Sequence, residues 1–219
     1  MQGLGWMHAL LPVLRRRSDV AAALGRHMVV FGTNAFAAPA LLGAVSRLEM
    51  DGQGDAGTRV RDMLAAPLSG AADLYYWGAL RPAAVAVGLV LAVAGVPAAG
   101  AALLLVAFNL PAQRARWRTF ALGVAAGGEL LRRRDAVLPP RAWIRPLRAV
   151  AGFVAGALAA WGTATAAGRG GAVLFDVGLA ILVGYHACRR HVSPGLAFLV
   201  VVALGTVLRH LDLAAGTLR

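Results

Sequence analysis

Lysine is missing altogether: all 22 basic residues are arginine, a bias that GC-rich coding produces and that fits the abundance of Ala, Gly and Val. Cysteine is nearly missing too. Cys188 on its own excludes an intrachain disulfide and offers no thiolate framework for a metal. Charge is scarce, at 15% of residues, whereas 59% are hydrophobic and mean hydropathy is +0.67. Ordinary soluble domains hold about 45–50% apolar residues, so a soluble chain of this length has no use for the surplus. The charges also cluster between long uncharged stretches, as integral membrane proteins distribute them. An all-α polytopic membrane protein is expected, with residues 1–219 forming a single membrane domain.

Enzyme signatures are absent as well. There is no Walker phosphate loop, no His-Glu-x-x-His, no Gly-x-Ser-x-Gly and no pair of carboxylates in a shared apolar setting. The five histidines, His8, His27, His186, His191 and His210, show no ligand spacing and are read as packing or interfacial residues. These absences argue against a catalyst, a metal site or a bound cofactor. A net charge of +12 could suggest nucleic acid, but the arginines flank apolar runs. Orientation by the positive-inside rule and attraction to an anionic lipid bilayer account for them, with no nucleic acid. The segment Met1–Pro12 lacks the basic opening and small-residue cleavage site of a secretory signal and is read as retained.

The longest uncharged run is residues 83–113, 31 residues, about 47 Å long as a helix against a hydrocarbon core about 30 Å thick. Gly95-Val96-Pro97 falls near its middle. A re-entrant hairpin or a kinked span is expected in place of one straight rod. Before it, Gly5–Leu14 is too short to span and suits an interfacial amphipathic helix. Met28–Ser46 carries no charge over 19 residues but contains Gly32-Thr33-Asn34 and Pro39. It is read as an irregular segment enclosed by protein or facing water. Glu49–Arg61, with Gly52, Gly54, Gly57 and both charge signs, reads as an aqueous loop, so residues 1–82 form an interfacial and irregular region.

Residues 114–148 alternate arginines with Trp117, Phe120 and Trp143 and are read as a basic cytoplasmic interfacial segment. Three C-terminal transmembrane helices are expected within 149–208: Ala149–Ala167, Ala172–Cys188 and Val192–Leu208. A tail, 209–219, then lies outside by charge bias. Gly123-x-x-x-Gly127 and Gly152-x-x-x-Gly156 permit close helix approach. Asp176, inside an apparent span, is either a helix-end residue or an ion site.

The most specific cluster is Asp73-Leu74-Tyr75-Tyr76-Trp77-Gly78-Ala79-Leu80-Arg81-Pro82, read as a charge-bearing loop abutting the apolar run. A carboxylate beside aromatic faces is the chemistry that holds sugars: the acid accepts hydroxyl hydrogen bonds while a ring stacks on the sugar. The other reading pairs Asp73 with Arg81 to brace the loop and treats the aromatics as a membrane belt.

Several segments in order resemble the IID component of the mannose/fructose/sorbose family of phosphoenolpyruvate-dependent sugar phosphotransferase systems. They include Phe31-Gly32-Thr33-Asn34-Ala35-Phe36, Pro67-Leu68-Ser69-Gly70, Asp73 to Pro82, and Arg189-Arg190-His191-Val192-Ser193-Pro194. The resemblance implies a non-catalytic, multi-pass subunit of a bacterial inner membrane. It would pair with a IIC subunit to carry a hexose-type sugar inward, while IIA and IIB relay phosphate to it. It also implies that Thr33, Asn34, Asp73, Trp77 and Arg81 form or brace a polar region at substrate or the IIC contact. The chain departs from the family pattern in two places. Asn-Thr-x-Pro appears as Gly32-Thr33-Asn34-Ala35, and Gly-Asp-Pro as Ala72-Asp73-Leu74, where a looser or more helical turn is expected. The match also starts beyond an N-terminal amphipathic segment, as in a divergent, N-terminally short member. Two alternatives stand beside this reading: a transport-weak regulatory or scaffolding homologue, and an unrelated small-molecule membrane transporter.

Overall fold

A computed structural model describes residues 3–30 and 32–166. Among them every regular element is helical: α1 (Gly3–Leu14), α2 (Val20–His27), α3 (Ala38–Met50), α4 (Gly54–Ala72), a π-helical turn (Asp73–Leu80), α5 (Arg81–Val93), α6 (Pro97–Ala126), short 3₁₀ turns between Gly127 and Trp143, and α7 (Ile144–Ala166). The fold is all-α, as composition implies. Two compact units divide the chain, one built from Met1–Trp77 and Asn109–Arg141, the other from Gly78–Phe108 and the chain from Ala142 onward.

In the first unit α3 supplies the core. Its residues Ala40, Leu41, Ala44, Val45 and Leu48 are buried, as are Val60, Leu64 and Leu68 of α4, the helix it packs against. Pro39 sits in the first turn of α3, where its missing N–H is not needed. The helix ends in a Schellman turn: Gly52 adopts φ 76°, its N–H bonds Glu49 O, and Gln53 N–H bonds Leu48 O. α4 therefore starts at Gly54, and the aqueous loop expected over Glu49–Arg61 shrinks to the exposed turn Asp51–Gln53, the rest being helix. Its low-propensity residues are held helical by packing, with Gly57 seated on Val45 and Leu48. Gly43 of α3 lies so close to α6 that an added Cβ would meet the Phe120 carbonyl oxygen and Val124 N at 2.8 Å. Gly123 is equally confined against the Ala40 carbonyl. The small pair read from sequence is thus half of a tight α3–α6 crossing.

The expected loop at Asp73–Pro82 is also corrected. It is helix throughout, because Ala72 and Leu74 stand where Gly and Pro would break it, and the excess turn is absorbed as π-helix. In the second unit the uncharged run turns at Gly95, φ 89°, with Val96 N–H bonding Leu91 O at 3.0 Å. Pro97 opens α6. A Cβ on Gly88 would lie 2.7 Å from Gly100 O, so α5 and α6 run back to back on glycine. No break falls at Gln113, since nothing from there to Val124 interrupts helix and α6 continues to Ala126.

One helical stretch among the described residues, Gly54–Val93, is long and apolar enough to cross a membrane. The expected span Ala149–Ala167 falls within α7 up to Ala166. Ala172–Cys188, with Asp176, and Val192–Leu208 lie outside the described residues.

A polar and aromatic candidate site at the π-helical turn

Between α2 and α3 the chain is irregular, and it is tied to α4 by Thr33, whose Oγ1 donates to Ala65 O at 3.0 Å. The next residue bridges two elements. Asn34 Oδ1 accepts the Phe36 N–H at 2.8 Å, which leaves its Nδ2 to donate to Asp73 Oδ1 at 2.7 Å. The backbone bond fixes which way the amide faces. The Asn34 carbonyl also accepts from Ala37 and Ala38, so the same residue turns the chain into α3.

Phe36, placed by this turn, stacks on Tyr76 with ring centroids 4.1 Å apart and touches Trp77 at 5.8 Å. Tyr75 meets Tyr76 edge to face at 5.0 Å, and the Arg116 guanidinium lies 4.7 Å from the Phe36 centroid. Phe36 and Tyr76 are buried, whereas Asp73 is exposed and Trp77 is 43% exposed. The π-turn matters here. It carries Asp73 toward Asn34 and Tyr76 onto Phe36 while Trp77 keeps part of its surface open. A charged oxygen beside an accessible indole can accept hydroxyl hydrogen bonds and stack on an apolar ring face.

Of the five residues singled out from sequence, Thr33, Asn34, Asp73 and Trp77 come together in the first unit. Arg81 opens α5, is exposed, and belongs to the second unit. Phe36 and Arg116 were not anticipated. Phe36 sits two residues from Asn34 in a segment already marked as irregular, so an Asn-x-Phe turn was a usable signal. Arg116 is 80 positions away in chain and gave none.

A second polar cluster in this unit was missed as well. His27, Glu49 and Arg61 are buried. His27 Nε2 lies 2.9 Å from Glu49 Oε1, and Arg61 Nη1 lies 3.3 Å from His27 Nδ1. Arginine can only donate, so Nδ1 accepts and the Nε2 proton points to Glu49: the ring is neutral. Burial lowers the His27 pKa, outweighing the hydrogen bond to Glu49 that would raise it. Burial alone would raise Glu49, but hydrogen bonds from Arg26 and His27 prevail and hold it below its ordinary value. Arg26 Nη2 reaches Glu49 Oε2 at 3.1 Å, Arg17 Nε reaches it at 3.3 Å, and Arg17 also donates to the Glu49 carbonyl. Arg61 further bonds Asp62 at 2.7 Å and the Arg26 carbonyl at 3.3 Å. Every oxygen of Glu49 is engaged, which makes this a structural network.

Residues 1–165 match the family model described as the PTS system mannose/fructose/sorbose family IID component. The chain belongs to that family. The mannose-specific EIID component of Escherichia coli K12 is 30% identical over 145 residues, covering 60% of this chain and 50% of that protein. The sorbose-specific EIID component of Klebsiella pneumoniae is 32% identical over 139 residues, covering 58% and 50%. The fructose permease IID component of Bacillus subtilis is 26% identical over 107 residues, covering 43% and 38%. This IID chain thus spans about half the length of the curated relatives it matches. Family membership makes it a membrane component of a sugar phosphotransferase system and sets aside the reading as an unrelated transporter. The matched residues include the whole polar and aromatic cluster.

Proposed function

We propose that this IID protein acts with a IIC subunit in the cytoplasmic membrane to carry a hexose-type sugar inward, while IIA and IIB components deliver phosphate to it. The observation that carries this reading is Asp73. Its Oδ1 is held by Asn34 at 2.7 Å, yet the residue remains exposed, four positions before the part-exposed Trp77. A carboxylate oriented by one bond and open on its other oxygen is equipped to receive a sugar hydroxyl or a polar group of a partner subunit. Phosphoryl transfer itself is assigned to the partner components, so this chain orients and contacts without supplying a nucleophile. Co-expression with the cognate IIC tests the reading. The two should co-purify, and membranes holding both should show phosphoenolpyruvate-dependent sugar uptake; failure of both counts against it.

One observation favours a second reading, a regulatory or scaffolding IID protein. The family's Gly-Asp-Pro is Ala72-Asp73-Leu74 here, and the segment is helical. A turn that must flex during transport would be stiffer in this form. Complementing a IID-deficient strain separates the two: restored uptake refutes the scaffolding role, and a stable complex without uptake supports it.

A further inference from the structure

Gly78 lies in the π-helical turn, one residue after Trp77, and Pro82 is the second residue of α5. In α-helical register the N–H four residues ahead occupies a carbonyl, so residue 82 would serve Gly78. Proline has no N–H to give. Arg148, in the second turn of α7, supplies a donor to that same oxygen: its Nε lies 3.0 Å from Gly78 O, across 70 residues of chain. The bond is partly buried, where a bare carbonyl would be costly. Gly78, Pro82 and Arg148 all lie in the second unit.

We propose that Arg148 is a positioning residue: it replaces the amide that Pro82 removes, and so holds the end of the π-turn that presents Trp77 and Asp73. A π-turn stores one residue more than an α-turn, and it relaxes toward α-helix unless its loose carbonyls are held. With the Gly78 carbonyl fixed, the peptide between Gly78 and Ala79 cannot rotate, and the backbone next to Trp77 is anchored at that end. Arginine suits the task because its planar guanidinium reaches far while its stem packs on apolar surface. The effect on sugar binding rests on the transport reading above, whereas the coupling between Arg148 and Pro82 does not.

Four variants of the full chain in phospholipid nanodiscs test this by hydrogen–deuterium exchange: Arg148→Met, Arg148→Lys, Pro82→Ala, and Pro82→Ala with Arg148→Met. Arg148→Met keeps the stem without the donor, and amides of residues 77–81 should exchange about five- to tenfold faster, the worth of one hydrogen bond. Amides of α3 should not change. Arg148→Lys should return the rate to within about twofold of the parent, because a donor is restored. In the Pro82→Ala background the residue-82 N–H takes the carbonyl, so adding Arg148→Met should change exchange by less than about twofold. Equal acceleration in both backgrounds, or none in either, overturns the proposal. In uptake assays on membranes containing the IIC partner, Arg148→Met should raise the half-saturating sugar concentration at an unchanged maximal rate, and Arg148→Lys should reverse it. A fall in maximal rate alone overturns the positioning role. Were the parent protein to transport nothing, the transport reading would fail, and the exchange cycle would still decide the role of Arg148.

Discussion

Glu49 and Asp73 are carboxylates of the same unit, packed near opposite ends of α4, and their surroundings differ in kind. Glu49 is fully buried and meets Arg17, Arg26 and His27. Asp73 is exposed, and among the described residues one side chain, Asn34, holds it. A buried acid with every oxygen engaged has nothing left to offer a ligand, and its removal strands cations in the interior. An acid oriented by one bond and open to its surroundings has capacity to spare. Burial with full satisfaction marks the end that holds the fold, and partial satisfaction beside a part-exposed aromatic marks the end proposed to meet a sugar or a partner.

Substitutions can break this contrast at either end. Glu49→Ala should have the largest effect, because it leaves Arg17 and Arg26 without the buried acid they share; breaking a buried pair costs about 3–5 kcal/mol. The checks are a lowered apparent melting temperature and a sharp fall in the yield of folded protein. Next comes Gly123→Ala, whose new methyl would enter the Ala40 carbonyl; overpacking of this kind costs about 1–3 kcal/mol. Its melting temperature should fall by less than that of Glu49→Ala. Asn34→Ala removes the side-chain bonds to Asp73 and to the Phe36 N–H, an expected loss of about 1–2 kcal/mol. It should lower stability modestly and uptake more strongly, which places Asn34 on the functional side of the contrast.

The smallest effect is a pH dependence. His27 is lowered below its ordinary value of 6.5, so the unfolded chain binds more protons and stability rises with pH. Its contribution is full above 6.5 and is lost as pH falls from there through the lowered folded value. Glu49, lowered from 4.5, acts in the same direction at more acid pH. The apparent melting temperature should drop between pH 7 and pH 5, and His27→Gln should flatten that segment of the curve while leaving the more acid part in place.

The open end of α4 was legible in sequence and the closed end was not. Asp73, Tyr76 and Trp77 adjoin one another, and Gly32-Thr33-Asn34 interrupts an uncharged stretch, so local composition marked both halves of the cluster. Gly95 and Pro97 marked the turn between α5 and α6 in the same way. The Glu49 network joins residues 22 to 34 apart whose neighbours are glycines and charges. Locally those neighbours signal a loop, and only packing of α4 on α3 makes them helix. The π-turn was hidden for a related reason. Its cause is the absence of breakers at Ala72 and Leu74 together with Pro82, and its anchor, Arg148, is far off in chain.

The contrast between the two acids is tested most directly by uptake per assembled complex. Asp73→Asn and Glu49→Gln proteins would be co-expressed with IIC, and phosphoenolpyruvate-dependent sugar uptake divided by the amount of co-purified complex. Asp73→Asn should lower the rate per complex about tenfold, the equivalent of ~1.4 kcal/mol, with the amount of complex unchanged. Glu49→Gln should lower the amount and leave the rate per complex intact. A full rate per complex for Asp73→Asn, or a loss of rate confined to Glu49→Gln, would contradict the account.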